Sequence, residues 1–489
     1  MSKESTLRSG GSTPHEQYIQ NEEMKMTSDH GDSAMPEGGV GAWLTVLGSF
    51  IIQFCAFGYG RVATSADELP DKNVPFYLAI PRHSGFTKVG FMSSMPLVLV
   101  DDIASVTRSL VLIRRLSDVG VRWIGGVNTF LVLGSGIIVG RLFDRGYFYW
   151  LLWGGSILTS FSLFMLSLAK PNQFYQIFLS QGLGAGLGAG ILYVPSIAIV
   201  SQYFRERRAL AMTIVASGSS LGAFLHPIML NNTINGSLGF ANGTRANAGL
   251  ISGLLLVSCL IMRTRPPPPT KVPELGKAVR KIMHDYAFLF ASIGLFIFAI
   301  GYYFPLFYLQ LDATTRGLDS TFAFYTLVIM NASSFIGRLT PGILSQYKVP
   351  VGNMFAISSG GCAILIFGMI GIKNDAAFVV FGIIYGFFAG MFVALLGPIL
   401  SLLTEDMQEL GARMGVAYLF TAVGGLLGGP INGALLTGNL IWWRPAVFSG
   451  VVCSVATVLF LAMLLVLRHK KQASSLDTPQ NYRGSRRNR

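Results

Sequence analysis

The residue with the clearest chemistry is Arg338, a guanidinium in an otherwise apolar run, SSFIGRLTPGIL. If this run crosses a membrane, burying the cation without a partner costs several kcal/mol, so its side chain should face a watery cavity or a partner. The planar fork of arginine donates two hydrogen bonds to one anion, which makes Arg338 a natural receptor for a carboxylate. The alternative is that Arg338 snorkels to the membrane interface and binds no cargo.

Other polar side chains in apolar runs extend this candidate substrate site. Ser334 lies one helical turn before Arg338, and Asn331 lies further back on the same run. Large aromatic side chains with a hydroxyl predict either a pathway suited to a larger or aromatic acid, or a belt at the membrane interface. The candidates are Tyr302, Tyr303 and Tyr193.

The proton chemistry available in the apolar runs is sparse. No acidic residue is expected deep in a helix, which leaves His226 as the obvious group that can trade protons near neutral pH. His226 lies beside Pro227, toward the end of its run. It is therefore either a proton site or a hydrogen-bonded packing residue.

A charged cluster at the end of another run has the composition of a latch. Gly140 and Arg141 are followed closely by Asp144 and Arg145. Asp144 is expected to cap the N-terminus of a neighbouring helix and to pair with Arg141 or Arg145, in contacts that break when two halves rock. The alternative is an ordinary interfacial ion cluster worth about 1 kcal/mol.

A second basic cluster, YFRERRALA, joins two apolar runs between Tyr203 and Ala211. Its simplest interpretation is an anchor that holds this loop on the cytoplasmic side of the membrane. A conformational role in gating is the other interpretation. The residues concerned are Arg205, Arg207 and Arg208.

The composition explains why these charges stand out. The chain has 489 residues, 51% hydrophobic and 12% charged, and a mean hydropathy of +0.53, whereas a soluble domain is about 25% charged. Unpaired backbone groups cannot be left in hydrocarbon, so each long apolar run must cross as a helix. We predict an all-α membrane protein with twelve transmembrane helices, near Trp43–Gly60, Trp123–Phe143, Tyr147–Leu168, Phe174–Phe204, Arg208–Leu230, Ala246–Met262, Tyr286–Gln310, Thr321–Tyr347, Val351–Ile372, Ala376–Thr404, Gly411–Leu436 and Ala446–Leu467.

Several function classes are excluded by what the sequence lacks. It has no metal-ligand spacing of Cys and His, no nucleophile elbow and no paired carboxylates, so we expect no enzyme, cofactor or metal. Nucleic-acid binding would need a folded basic domain. The net charge of +13 lies mostly in loops and the C-terminal tail, where it suits anionic membrane lipid.

The distribution of Lys and Arg predicts that both termini are cytoplasmic, and we expect a multi-pass protein of the plasma membrane.

The connections expected on the cytoplasmic side are the richer in Lys and Arg, and those on the opposite side carry few. Two Asn-x-Ser/Thr sites, Asn235 and Asn242, fall in a loop placed outside by this topology and are candidate glycosylation sites. The expected division is a disordered cytoplasmic tail (1–42), an N-terminal six-helix half (43–262), a cytoplasmic linker (263–285), a C-terminal six-helix half (286–468) and a cytoplasmic tail (469–489).

Internal repetition relates the two halves. The pattern from Gly136 through Gly140 to Asp144 in the second helix recurs from Arg338 through Gly342 to Gln346 in the eighth. A second half that repeats the first is typical of secondary transporters. Since Gln346 stands where the first copy has Asp144, we expect the latch to be asymmetric.

Two motifs resemble those of the monocarboxylate transporter family within the major facilitator superfamily. They are the YFRERRALA stretch followed by Ser217-Gly218, and EGGVGAW at the entry to the first helix, Glu37 to Trp43. The likeness covers about 36–60 and 123–467 and is greatest to fungal members. The resemblance implies the major facilitator fold and an arginine in the eighth helix that binds the substrate anion, a place similar to that of Arg338. Animal members pair that arginine with an aspartate one turn upstream, where this chain has serines.

The resemblance fails over 61–122, a stretch of mixed charge whose apolar pieces are too short to span a membrane. It is expected to be either a gene-model artefact, such as a retained intron, or an external insertion. Sequencing the transcript distinguishes these two origins.

The resulting functional hypothesis is a secondary active transporter that moves a small organic anion, similar to a monocarboxylate, by alternating access. Coupling to a proton is left open. The alternatives are an exporter or facilitator of a fungal metabolite, and a non-transporting receptor-like protein or pseudo-transporter.

Overall fold

The computed structural model describes residues 38–59, 63–64, 91–92, 127–170, 173–234, 237–265, 284–436 and 441–476. Long helices make up nearly all of these residues, and we number them along the chain. They are α1 (Val40–Tyr59), α2 (Val127–Asp144), α3 (Phe148–Leu166), α4 (Tyr175–Gln202), α5 (Arg208–Ile234), α6 (Gly239–Ile261), α7 (Tyr286–Thr315), α8 (Ser320–Gln346), α9 (Val351–Gly368), α10 (Asp375–Leu403), α11 (Leu410–Leu436) and α12 (Trp443–Leu476).

These helices have the length and composition that a bilayer requires. Within the described residues, 11 helices are long and apolar enough to cross a membrane, and α1 adds a shorter apolar stretch, Val40–Ala56. Helices satisfy every backbone group internally, which is why a chain this apolar folds into them. The all-helical class and the set of twelve apolar helices predicted from the sequence are confirmed.

The described pieces of the anomalous stretch between α1 and α2 are two short strands. Ala63–Thr64 pairs antiparallel with Phe91–Met92, with Ala63 opposite Met92. The rest of 61–122 lies outside the described residues, so its origin stays a prediction.

The two halves are built from equivalent helix pairs. In the N-terminal half, α1 packs against α5 and α6, and α3 packs against α4 and α6. In the C-terminal half, α7 packs against α11 and α12, and α9 packs against α10 and α12. The repeat seen in the sequence therefore has a counterpart in the packing.

Contacts between the halves run mainly along α2 with α11 and along α5 with α8. In the repeat, α2 corresponds to α8 and α5 corresponds to α11. The contact of α2 with α11 is therefore equivalent to the contact of α8 with α5. Helices α5 with α10 and α4 with α11 add smaller contacts across the same boundary. The candidate site residues on α8 and α4 are placed at this boundary by the fold.

Helix bounds differ from the predicted ones where polar residues lie within helices. Helix α7 continues past Gln310 to Thr315, and α12 continues to Leu476, inside the predicted tail. Helix α1 begins at Val40, also inside a predicted tail. Apolarity alone ends a predicted span too early, because a helix can continue into the interface once its polar side chains reach water or a partner.

Helix α4 is not a uniform α-helix. Its segment Phe178–Ala185 is π-helical, and Asn128 on α2 donates from Nδ2 to the carbonyl of Gln181 at 2.8 Å. A π segment widens the turn and leaves backbone groups to be satisfied by neighbours. This irregularity is not predicted from the sequence, since a wide turn leaves no distinctive residue pattern.

All four cysteines are buried and free. Cys55, Cys259, Cys362 and Cys453 lie in α1, α6, α9 and α12. The Sγ of Cys259 donates to Ser156 Oγ at 3.4 Å, a contact between α6 and α3. The prediction that they act as small packing residues agrees with this placement.

Candidate functional site

Arg338 lies inside the protein at the boundary between the halves. Its side chain is on α8 and the residue is 1% exposed. Nη1 donates to the carbonyl of Ala216 at 2.7 Å and to Ser219 Oγ, both on α5. Arg338 does not snorkel to the interface in this structure, and it joins the two halves through neutral oxygens.

Serine residues on α8 extend the same boundary. Ser334 Oγ lies 3.0 Å from Ser220 Oγ on α5, one helical turn from the Arg338 contact. A β-carbon at Gly390 on α10 would collide with the carbonyl of Ser334, so glycine lets α10 approach α8 at this level. Helix α8 is therefore held between α5 and α10 where its candidate residues lie.

Asn331 lies further along α8 and is 2% exposed. Its Nδ2 donates to the carbonyl of Leu327 in its own helix at 3.0 Å. Its Oδ1 is buried and has no hydrogen-bond partner among the described residues. A buried acceptor without a partner is costly, and Asn331 therefore has an unused capacity to bind a donor.

Two of the predicted tyrosines, on α7, pack inside the C-terminal half. The Tyr302 hydroxyl donates to the carbonyl of Ala389 on α10 at 3.4 Å, and Tyr385 donates to the Tyr302 carbonyl at 2.5 Å. The ring of Tyr303 stacks on Phe307 with centroids 5.1 Å apart. These tyrosines are buried rather than interfacial.

Tyr193 lies at a different part of the boundary between the halves. Its ring centroid is 5.3 Å from that of Tyr418 on α11. Next to it, Gln53 on α1 donates from Nε2 to Ser196 Oγ at 2.9 Å, and Gln53 Oε1 is buried without a partner in the described structure. Gln53 was missed, although a single amide in the apolar first helix is a visible signal.

The latch residues lie where α2 meets α11. Asp144 accepts hydrogen bonds from the backbone amides of Gly411 at 2.9 Å and Ala412 at 2.7 Å, and thereby caps α11. A β-carbon at Gly140 would collide with the carbonyl of Gly411. The expected cap is present, and the two helices touch backbone to backbone beside it.

The expected ion pair of Asp144 is absent from the described part of the chain, because its oxygens are directed to the amides of α11. Arg141 is 4% exposed, and its three guanidinium nitrogens make no hydrogen bond to any described residue. Arg145 is exposed at the start of the loop to α3. Charge attraction between Arg141 and Asp144 therefore acts without direct contact.

The second basic cluster divides into exposed and bridging arginines. Arg205 and Arg207 are exposed. Arg208 begins α5, and its Nη1 donates to Ser401 Oγ at 3.0 Å, near the end of α10. Arg208 therefore contacts the other half, beyond what an anchor to the membrane surface requires.

An arginine that the sequence analysis missed ties α11 to the beginning of α7. Arg413 Nη1 lies 3.0 Å from Asp285 Oδ2 and donates to the carbonyl of Leu403 at 2.9 Å. Its guanidinium carbon is 5.5 Å from the ring centre of Phe288. We call the end of the bundle that carries Arg208, Arg413 and Asp144 the basic end.

His226 contacts helices of its own half. His226 is 1% exposed, with Nδ1 3.2 Å from Asn247 Oδ1 on α6 and its ring 4.7 Å from that of Phe54 on α1. These contacts favour the packing role. Asn242 is exposed in α6, and Asn235 lies outside the described residues.

The expectation that no acid lies deep in a helix was wrong. Asp312 is 0% exposed in α7, where its Oδ1 accepts a hydrogen bond from Arg316 Nε at 2.6 Å. The predicted helix ended before this residue. The signal was the spacing of four between Asp312 and Arg316, which places both charges on one helix face.

The fold and the buried polar residues at the boundary define a membrane transporter made of two pseudo-repeated halves. The major facilitator superfamily model matches residues 84–375 and 342–484, and the chain belongs to this superfamily. It is therefore a multi-pass membrane transporter rather than an enzyme.

Relatives and solved structures agree with that assignment. The chain is 33% identical to the aspyridones efflux protein apdF of Emericella nidulans, over 87% of this chain and 78% of that protein. It is 32% identical to the fujikurins efflux protein of Gibberella fujikuroi, over 90% and 86%. The fold is similar to that of the transporter FucP in the outward conformation, with a TM-score of 0.61 and 13% identity, over 86% of this chain and 98% of that one. These comparisons support the superfamily and do not support the narrower resemblance to monocarboxylate transporters.

Proposed function

We propose that this chain exports a small organic metabolite with an anionic group, by alternating access, and that Arg338 is the receptor for the anion. The observation that carries the proposal is the burial of the Arg338 guanidinium between α8 and α5, where it binds neutral oxygens. Hydrogen bonds from arginine to a carboxylate are about twice as strong as those to neutral acceptors. An anionic cargo would therefore displace the α5 oxygens from Arg338.

That displacement connects cargo binding to movement of the halves. The contacts of Arg338 and Ser334 with α5 hold the halves together on one side of the boundary. Once the cargo binds the Arg338 guanidinium, α8 loses a hydrogen-bonded contact with the N-terminal half. A ligand shifts a conformational equilibrium only through such a difference in its contacts between states.

Export is favoured over uptake by the relatives. Two proteins that match most of this chain are named as efflux proteins, for aspyridones and for fujikurins. The buried tyrosines, and the Oδ1 of Asn331, which has no hydrogen-bond partner among the described residues, would suit a cargo with aromatic and donor groups. Export is tested against two alternatives. The first is uptake of a monocarboxylate together with a proton, and the second is a protein that transports nothing.

The proposed location is the plasma membrane, with both chain termini in the cytoplasm. The basic end would then face an anionic inner leaflet, which attracts Lys and Arg at about 1 kcal/mol each. Its exposed arginines, Arg145, Arg205 and Arg207, are suitably placed for that contact.

The test uses purified protein in liposomes loaded with carboxyfluorescein, a polar aromatic carboxylate, with release measured by fluorescence. We expect Arg338→Gln to lower the initial release rate by about tenfold or more, because the lost charge-assisted hydrogen bonds are worth about 1.5–3 kcal/mol. Arg444→Gln is the matched control, since Arg444 is exposed at the opposite end of the bundle.

Release at the wild-type rate and affinity from Arg338→Gln would remove this residue as the anion receptor. A wild-type protein that moves neither carboxyfluorescein nor aspyridones would contradict export and favour a non-transporting role. Accelerated accumulation driven by an inward proton gradient would favour uptake instead.

A further inference from the structure

Asp312 is a buried acid with an incomplete set of hydrogen bonds. It lies in α7, one helical turn before the end of that helix, and is 0% exposed. Its Oδ1 accepts from Arg316 Nε at 2.6 Å. Its Oδ2 is buried and has no hydrogen-bond partner in the part of the chain that the structure describes.

The other buried acids in the described residues are different. Asp144 directs each oxygen to a backbone amide of α11, and Glu409 has no buried oxygen without a partner. A carboxylate oxygen without a donor is costly inside a protein, whereas a neutral carboxyl group is much less so. Among these three acids, Asp312 is therefore the one with an oxygen available to take up a proton.

Arg316 connects this acid to solvent and to a neighbouring turn. Its side chain is 27% exposed, and its Nη1 donates to the carbonyl of Ile372, between α9 and α10. The guanidinium carbon lies 6.0 Å from the ring centre of Phe378. Arg316 thus extends from the buried acid toward the protein surface and makes a contact there that depends on its charge.

Few other charges act on this pair. The remaining charged side chains at this end of the C-terminal half are exposed, on the loop before α8, around the start of α10 and at the start of α12. They are Asp319, Lys373, Asp375 and Arg444. The ionisation of Asp312 is consequently governed by its burial and by Arg316.

We infer that Asp312 is the proton-binding residue of this transporter, an inference that rests on the proposed export function. A proton from the solvent at this end adds to Oδ2, and the carboxylate becomes a neutral carboxyl group. Arg316 keeps its own charge and its contact with Ile372. Its guanidinium loses the ionic attraction to the Asp312 carboxylate. The same proton returns from Oδ2 to the solvent at this end when the pH there rises, so cargo exchange depends on the acidity at this end of the bundle.

The first experiment needs no cargo. The protein is placed in nanodiscs of neutral lipid, and its infrared spectrum is recorded at high and at low pH. The difference between the two spectra detects the carbonyl stretch of a buried carboxyl group that becomes protonated. We expect this band in the wild type and in Asp375→Asn, whose acid is exposed, and its loss in Asp312→Asn. Asp312→Glu should shift the band rather than remove it. An unchanged band in Asp312→Asn would overturn the inference.

The second experiment measures coupling with the carboxyfluorescein liposomes. Acid is added on the side of the membrane that Arg316 faces, and the initial rate of dye movement is compared with the rate at equal pH on both sides. We expect the gradient to accelerate the wild type and Asp375→Asn, and to have no effect on Asp312→Asn, which should still exchange dye without a gradient.

Acceleration of Asp312→Asn equal to that of the wild type would also overturn the inference. If Asp312→Asn does not fold, Asp312→Asn/Arg316→Gln removes both charges together and takes its place. A wild type that shows the infrared band but moves no dye would contradict the export function while leaving the proton site standing.

Discussion

At the scale of single residues, the latch is asymmetric. Asp144 caps α11, but the equivalent residue in the repeat, Gln346 at the end of α8, is exposed and donates from Nε2 to its neighbour Ser345 at 3.3 Å. Within the described residues, only the α2 side of the boundary therefore has a carboxyl cap on a helix of the other half. Opening of the basic end must break that cap.

Replacement of Asp144 by Asn should slow transport. Asparagine has one acceptor oxygen and cannot accept from both α11 amides, which weakens the cap by about 1 kcal/mol. The state closed at the basic end is then less populated, and turnover falls about fivefold. Dye release and the amount of protein at the cell surface are the measurements. Asp375→Asn is the control, an exposed acid in the first turn of α10. Unchanged turnover would rule out a role for the cap in transport.

At the scale of helices, the halves meet most closely through glycine. Gly136 and Gly140 on α2 face Gly415 and Gly411 on α11, and a β-carbon at either of the first pair would press on backbone of the second. On the pseudo-equivalent side, Arg338 stands at the position that Gly136 occupies in the repeat. One boundary is thus packed backbone to backbone, while the other includes the charged side chain of Arg338, which we propose as the anion receptor.

A bulky residue at Gly140 should prevent closure of the basic end. We expect Gly140→Val to lower dye release more than about tenfold, since the added side chain must separate two helix backbones. Gly154→Val on α3 is the control, because nothing lies within 4 Å of a β-carbon there. Limited proteolysis of the α4–α5 loop would show the failure to close. Wild-type release from Gly140→Val would contradict this account of the boundary.

The sequence predicts helices better than it predicts their contacts. The twelve apolar helices follow from the bilayer, and the burial of Arg338 follows from the cost of its charge. Its partners, Ala216 and Ser219, did not follow, because contacts between distant segments depend on how α5 and α8 pack. Asp312 was missed since apolarity ended α7 too soon, and the π-helical segment of α4 has no residue pattern to reveal it.

At the scale of the whole molecule, charge differs between the two ends of the bundle. The basic end carries Arg141, Arg145 and the three arginines of the α4–α5 loop, whereas the other end carries isolated charges such as Arg245 and Arg316. Positive charge in short loops marks the cytoplasmic side. The molecule as a whole is therefore expected to present Asp312 to the outside.

That orientation predicts where the chain is modified. Asn242 is exposed at the end opposite the basic end, so glycosidase treatment should lower the mass of the wild type and leave the Asn235→Gln/Asn242→Gln variant unchanged. Epitope tags at either terminus should bind antibody only after the cells are made permeable. Tags that are detected on intact cells would reverse the orientation and the direction assigned to transport.

The burial of every native cysteine makes the protein well suited to spectroscopy. The four thiols lie inside helices, where they are shielded from polar maleimides in the folded state. A cysteine introduced at an exposed site on each half would then be the main position to take up a fluorophore or spin label. Distances between such probes would follow the rocking of the halves without first rebuilding the chain on a cysteine-less background.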